Sequence, residues 1–257
     1  MTQDERLDFL LRTLLAEREE YAAIRLPDGL ADRRRLLRSL MNVRPPMPAS
    51  EDFLRVQDVY LQARLTERGV TDLADLKPVQ PGLYLWQGDI TTLRCDAIVN
   101  AANSALLGCF VPCHGCIDNA IHTYAGVQLR LECAEIMRKQ GHEEETGRAK
   151  ITKGYNLPCR YVLHTVGPIV GGRVTRRDRE LLANCYRACL DLAAEHGLHS
   201  VAFCCISTGE FHFPNQDAAE IALQTVRTWQ RQNAHQIEVI FNVFKDSDYK
   251  IYQRLLR

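Results

Sequence analysis

The chain has 257 residues, and its 32 lysines and arginines balance 32 aspartates and glutamates, so the formal charge is zero. That length supports one large domain, or one domain with an appendage, and leaves a core that needs no disulfide staples. Zero net charge argues against a polyanion-binding surface spread over the molecule, so no nucleic-acid partner is expected, although a local basic pocket stays open.

The first ten residues, MTQDERLDFL, carry acidic charge where an export signal has a basic and then an apolar stretch. No apolar run reaches the ~20 residues of a membrane span, so a cytoplasmic protein without membrane association is expected. The ten cysteines are then expected as thiols, metal ligands or catalytic groups rather than as disulfides.

Leu7, Leu10, Leu11, Leu14 and Leu15 recur at helical spacing between charged residues, which predicts an amphipathic helix. A second helix is predicted from Asp32 to Met41. The prolines between Arg44 and Ser50 stop it, because they lack an amide donor and restrict the residues before them. Ser50, followed by Glu51 and Asp52, predicts an N-cap, and a third helix then runs to about Arg68, with Gly69 as its stop. Residues 1–78 read as an N-terminal helical extension holding 13 basic and 14 acidic residues, which is no basic arm. A segment this short is expected to pack on a main domain of residues 79–257 rather than to stand alone.

From Pro78 onward the pattern changes to short β-rich runs: Leu83–Gln87, Asp96–Asn100, Lys150–Tyr155, Tyr161–Val166, Ser200–Ser207 and Ile237–Phe244. Between them, residues 117–131, 178–195 and 217–232 read as helices. This alternation predicts an α/β fold with a sheet between helix layers. Ligands of such sheets sit beyond the carboxyl ends of the strands, here the loops after Gln87, Asn100, Val166 and Ser207.

All ten cysteines lie between Cys95 and Cys205, and three of them surround His114. The pattern Cys109-x4-His114-x-Cys116 offers two thiolates and one imidazole, a donor set suited to Zn²⁺. Three protein ligands leave the fourth position of a tetrahedron open, as in catalytic zinc sites. The plainer reading is buried cysteines beside a surface histidine. Cys113 is an alternative ligand, but its adjacency to His114 would strain a loop that ligated through both. His122, four residues after Asp118, shares its helix face and reads as a structural histidine.

Neither a GxxxxGK[ST] loop nor a GxGxxG turn is present, which excludes the ordinary phosphate-loop and dinucleotide-fold readings. The stretch from Ser207 to Pro214 follows an apolar strand and precedes a helix, where backbone amides can receive an anion.

Taken in order, Gly88-Asp-Ile-Thr91, Ala97-Ile-Val-Asn-Ala-Ala-Asn103-Ser104, Cys116-Ile-Asp118-Asn-Ala-Ile-His122, Tyr124-Ala-Gly126, Tyr161-Val-Leu-His-Thr-Val-Gly-Pro168 and Ser207-Thr-Gly209 resemble the macrodomain family. The match runs from about residue 82 to the C-terminus. The loop from Gly108 to Cys116 looks like that of the zinc-dependent macrodomains, microbial enzymes that remove ADP-ribose from proteins and often accompany a sirtuin-type ADP-ribosyltransferase and a lipoyl-carrier protein. A helical N-terminal extension belongs to that group. Zinc-free macrodomain hydrolases have a glycine-rich loop there, so their water-activation scheme does not transfer to this chain.

The resemblance implies a three-layer α/β/α macrodomain around a mixed six-stranded sheet. It implies a Zn²⁺-dependent hydrolase that removes mono-ADP-ribose from modified protein side chains, with Asp or Glu esters as the expected linkage. By the same resemblance Asp89 accepts from the adenine amino group and Ile90 adds a backbone amide. Asn103 binds the distal ribose, and Asp118 is the catalytic-loop carboxylate. Ser207, Thr208, Gly209, Glu210 and Phe211 form the second phosphate loop, and Phe244 stacks on adenine or belongs to the core. Two other functions remain open from the sequence: an ADP-ribose-binding module with a structural zinc, and a hydrolase of small ADP-ribose derivatives.

Overall fold

The computed structural model describes all 257 residues, Met1 to Arg257. Three helices come first: α1 (Gln3–Ala16), α2 (Leu30–Val43) and α3 (Glu51–Arg68). Thr2 and Glu5 close a capping box on α1, satisfying amides that the first turn leaves free. Ser50 Oγ accepts from the Phe53 amide at 3.2 Å, and α3 ends at Gly69. Leu7, Leu10, Leu11 and Leu14 are buried with Leu37, Leu40, Phe53 and Val56 in a cluster that Val127 joins from the main domain. Burying each of these side chains stabilises the extension by about 1.5–3 kcal/mol.

The strands follow as β1 (Thr71–Asp72), β2 (Leu83–Gln87), β3 (Leu93–Arg94), β4 (Ala97–Ala102), β5 (Ala149–Lys153), β6 (Tyr161–Val166), β7 (Ser200–Phe203) and β8 (Glu238–Val243). β1 and β3 make a small parallel pair. The other six form one sheet in the order β2-β8-β7-β4-β6-β5, parallel throughout except that β5 runs antiparallel to β6. The sheet is therefore mixed, as expected. The runs Ala97-Ile-Val and Val239-Ile-Phe241 are buried without polar alternation, the pattern of a sheet covered on both faces.

The covering helices are α4 (Ile117–Ala125), α5 (Val127–Gln140), α6 (Arg176–Glu195), α7 (Asn215–Gln232) and α8 (Asp246–Leu255). α6 packs on α7 and α7 on α8, while α4 lies against β4, α5 and the extension's α2.

Besides the short β1–β3 pair and shifts of a residue or two at strand ends, the structure corrects the sequence reading in three places. The single helix expected over 117–131 is two helices, broken at Gly126 with φ +97°. A Cβ there would lie 2.7 Å from the side chains of Gln57 and Gln128, and Gln57 Oε1 accepts from the Val127 amide at 2.9 Å. A side chain from α3 thus caps α5. The strand expected to Ser207 stops at Phe203, where its ladder with β8 ends, and Cys204 and Ile206 stay buried in the following loop. The sequence reading also omitted α8, which buries Asp248 and Tyr252 in a segment whose charges obscure its apolar face.

Candidate active site

The parallel strands bring their carboxyl ends to one edge, and the expected site residues gather there. Gln87 pairs with Val243 in register, and the Gly88 amide donates to Val243 O at 3.1 Å, so Asp89 and Phe244 leave neighbouring strands side by side. Asn103 follows β4 at the sheet's centre, and the loop from Ser207 follows β7.

Cys109, His114 and Cys116 come together, each half-buried, with their donor atoms all within 4.8 Å of one another. Cys109 Sγ lies 3.5 Å from His114 Nδ1. A tetrahedral zinc with ordinary Zn–S and Zn–N bonds separates such donors by about 3.6 Å, so the residues fit the ion in chemistry and in spacing. Cys116 is the N-cap of α4 and its Sγ accepts from the Asn119 amide at 3.4 Å, so the sulfur sits where the helix dipole favours negative charge. Burial nevertheless pushes the Cys116 thiol up to about 12; the Asn119 amide opposes this, while Cys109 and the Asp118 charge reinforce it. A cation is the group that would favour both thiolates.

Cys113, the alternative ligand, stands apart. It is left-handed at φ +54°, its Sγ is 3.2 Å from Ser39 Oγ, and its amide donates to Asn42 Oδ1. Gly108, which opens the loop, has φ +80°, and a Cβ there would come within 2.7 Å of the His122 ring. The loop can lie on that ring only with glycine.

Asp118 is in the first turn of α4, 5% exposed, and accepts from Asn100 Nδ2 at 2.8 Å. Burial raises its carboxyl to about 6, against the hydrogen bond from Asn100 and the charge of Arg130. Asn100 Nδ2 also lies 3.1 Å from His164 Nδ1, and His164 Nε2 is 2.9 Å from Thr152 Oγ1. His122 Nε2 is 3.6 Å from Asp118 Oδ1, and burial holds its ring neutral. Asn103, the expected ribose ligand, is anchored at the base of the Gly108–Cys116 loop, with Nδ2 3.4 Å from Gly108 O and Oδ1 accepting from the Ala105 amide. The structure therefore sets Asn100, which the sequence reading named only as the end of a strand, against the Asp118 carboxylate. His122, Cys133 and His164 form a second, wholly buried donor group, but both His164 nitrogens face hydrogen-bond partners, so it reads as a structural network.

At the other end, Asp89 caps a short 3₁₀ turn, Ile90–Thr92, through Thr91. Its second oxygen accepts from Arg68 Nη1 at 2.9 Å, and Arg68 also donates to Thr91 Oγ1 and lies 3.6 Å over the Tyr124 ring. Nothing in the sequence marked Arg68, because only the fold brings α3's last turn to this edge. Ile90 is buried. Phe244 is 76% exposed, which removes the core reading and leaves a ring face open beside Asp89.

The loop from Ser207 to Phe211 folds tightly before α7, with Ser207 at φ +64° and its O accepting from the Phe213 amide. Thr208 Oγ1 donates to Cys205 O, while Phe211 O accepts from Val170 and so ties this loop to the one after β6. A Cβ added at Gly209 would meet nothing within 4 Å beyond its chain neighbours. Glu210, largely exposed, reaches 3.6 Å from His114 Nε2, so the loop after β7 meets the loop that carries the three donors.

Residues 99–222 match the Macro domain family model. A protein-ADP-ribose hydrolase of Treponema medium is 58% identical, with both chains fully covered. One of Staphylococcus aureus is 51% identical over 96% of this chain and 94% of its own. Among solved structures, the Trypanosoma brucei macrodomain in complex with ADP-ribose superposes with a TM-score of 0.67 at 34% identity, covering 85% of this chain and 95% of that one. No helix is long and apolar enough to cross a membrane. Full-length identity of this order, on the same sheet and loops, means that the chain belongs to the macrodomain family.

Proposed function

We propose that the protein is a Zn²⁺-dependent hydrolase that removes mono-ADP-ribose from ester-modified Asp or Glu side chains of proteins. The observation that carries this reading is the half-buried Cys109, His114 and Cys116 cluster, placed on the helix start that also presents Asp118. The full-length similarity to protein-ADP-ribose hydrolases supports it. We take residues 1–78 as the extension and residues 79–257 as the catalytic macrodomain, and we read the protein as cytoplasmic.

In this reading Cys109, His114 and Cys116 hold the ion, which when bound supplies Lewis acidity toward water or the distal ribose. The Asn103 amide offers a donor and an acceptor to the distal ribose hydroxyls. Asp118, with a pKa raised toward neutrality, orients water and takes a proton at its carboxylate as the anomeric bond breaks. The amides of Ser207, Thr208, Gly209, Glu210 and Phe211 hold the diphosphate with neutral donors, so a chain without net charge binds a dianion. Asp89 and the Ile90 amide receive the adenine edge, and Phe244 stacks on its face.

The test follows free ADP-ribose released by the wild-type protein from a mono-ADP-ribosylated carrier protein, from O-acetyl-ADP-ribose and from ADP-ribose phosphate, with calorimetry of ADP-ribose binding alongside. Release from the modified protein in preference to the small derivatives is expected. Tight binding with no release from any substrate would leave a binding module instead.

Arg68 holds the Asp89 carboxylate in place from outside the macrodomain. Arg68→Ala is expected to weaken ADP-ribose binding and raise KM about tenfold, the loss of one charged hydrogen bond, with kcat within about twofold. Calorimetry and steady-state rates check this, and unchanged affinity would rule it out.

A further inference from the structure

α2 of the extension lies on the back of the metal loop and bonds it at several points. Arg38 donates from Nε and Nη2 to Asn119 Oδ1 at 3.1 and 2.7 Å, and from Nη2 to His114 O at 3.0 Å. One guanidinium fork thus fixes the backbone of one donor residue and the side chain of Asn119. Asn119, fully buried, passes the constraint on. Its amide holds Cys116 Sγ, and its Nδ2 donates to Val111 O at 2.9 Å and Cys109 O at 3.5 Å. All three donor residues are tied to Arg38 through at most one intervening residue, Asn119.

A second tie lies one turn further along α2. Asn42, buried, accepts from the Cys113 amide at 2.9 Å and donates to Thr123 Oγ1 at 2.9 Å, linking the loop's left-handed residue to α4. Arg130 of α5 holds the end of α2 by donating to the carbonyls of Met41 and Asn42, and its guanidinium stacks over Phe110 in the loop. The loop's conformation therefore depends on groups outside residues 79–257.

We propose that Arg38 is a positioning residue of the metal centre: through His114 O and Asn119 it sets Cys109, His114 and Cys116 at ion-binding spacing before the ion arrives. This deepens the Zn²⁺ reading and rests on it. Arg38 touches none of the three donor atoms, so its loss acts through the order of the loop. Outer partners of metal ligands change affinity by roughly 10–100-fold when removed, and the same range applies here.

The experiment uses the full-length chain and measures Zn²⁺ affinity by chelator competition, together with amide hydrogen exchange over Cys113–Cys116. Arg38→Ala is expected to weaken Zn²⁺ binding about 10–100-fold and to speed exchange in the loop, with ADP-ribose affinity within about twofold of the wild type. Arg38→Lys, which keeps the charge without the fork, is expected to fall between the two and guards against a folding defect in the alanine variant. Arg55→Ala, an exposed change on α3, is expected to leave every readout unmoved. A wild type that binds Zn²⁺ and an Arg38→Ala that binds it equally well, or shows unchanged loop exchange, overturns the positioning role. A wild type that binds no Zn²⁺ at all overturns the metal centre itself, and that outcome is distinct from the first.

Discussion

Cys116→Ala is expected to abolish Zn²⁺ retention and to slow release of ADP-ribose from modified protein by at least about 10²-fold, while the protein still folds. Cys116 holds two positions at once, as one of three clustered donors and as the N-cap of α4. Loss of the cap alone costs about 1 kcal/mol, a fall of about 2–4 °C in Tm for a chain of this size. Cys116→Ser separates the two losses. A serine hydroxyl caps the helix well but is a poor soft-metal ligand, so this variant is expected to keep near wild-type stability and still lack activity. Metal content by mass spectrometry, Tm and ADP-ribose release are measured on both variants and on chelated wild type. Full turnover in any zinc-free form would remove the ion from the chemistry.

The legible parts of the fold are those in which local chemistry and tertiary environment agree. β2 and β6 begin and end where their apolar runs do, and the Ser50 cap and Gly69 stop bound α3 as their chemistry dictates. Where a distant group intervenes, local signals mislead. The apolar periodicity across 117–131 continues through Gly126, and the break depends on Gln57, seventy residues earlier, to satisfy the Val127 amide. Strand length after Ser200 was overestimated because hydrophobicity reports burial, and Cys204 and Ile206 are buried without being paired.

The same division holds in the site. Cys109, His114 and Cys116 lie within eight residues, so their spacing in sequence already constrains their spacing in the fold. Asn100 was hidden because nothing local separates it from Asn103; only the sheet register, with Asn100 opposite His164, directs its amide into the buried network at Asp118. No local signal in the sequence marks Arg38 or Arg68. Each gained a role because the extension folds back on the loops, which no periodicity within residues 1–78 encodes.

Asp118→Asn is expected to lower kcat by about 10²–10³-fold and at the same time to raise stability, measured on the chelated protein to match a site without bound cation. A buried carboxyl whose pKa is raised to about 6 binds its proton more tightly in the native state than in the unfolded chain, where Asp titrates near 3.8. Below about pH 4 both states are protonated and the group costs nothing. As pH rises through the window from 4 to 6 the native state must either hold the proton or bury a charge, and the penalty approaches about 3 kcal/mol above pH 6. Asparagine removes the charge but keeps an oxygen to accept from Asn100, and its amide can turn toward the His122 ring, whose nitrogens are buried without partners. Denaturant melts across pH 4 to 8 should therefore show the variant's advantage growing from nil to as much as about 3 kcal/mol. A carboxylate retained for structure alone would give the reverse pattern, with Asp118→Asn less stable at neutral pH and turning over at the wild-type rate.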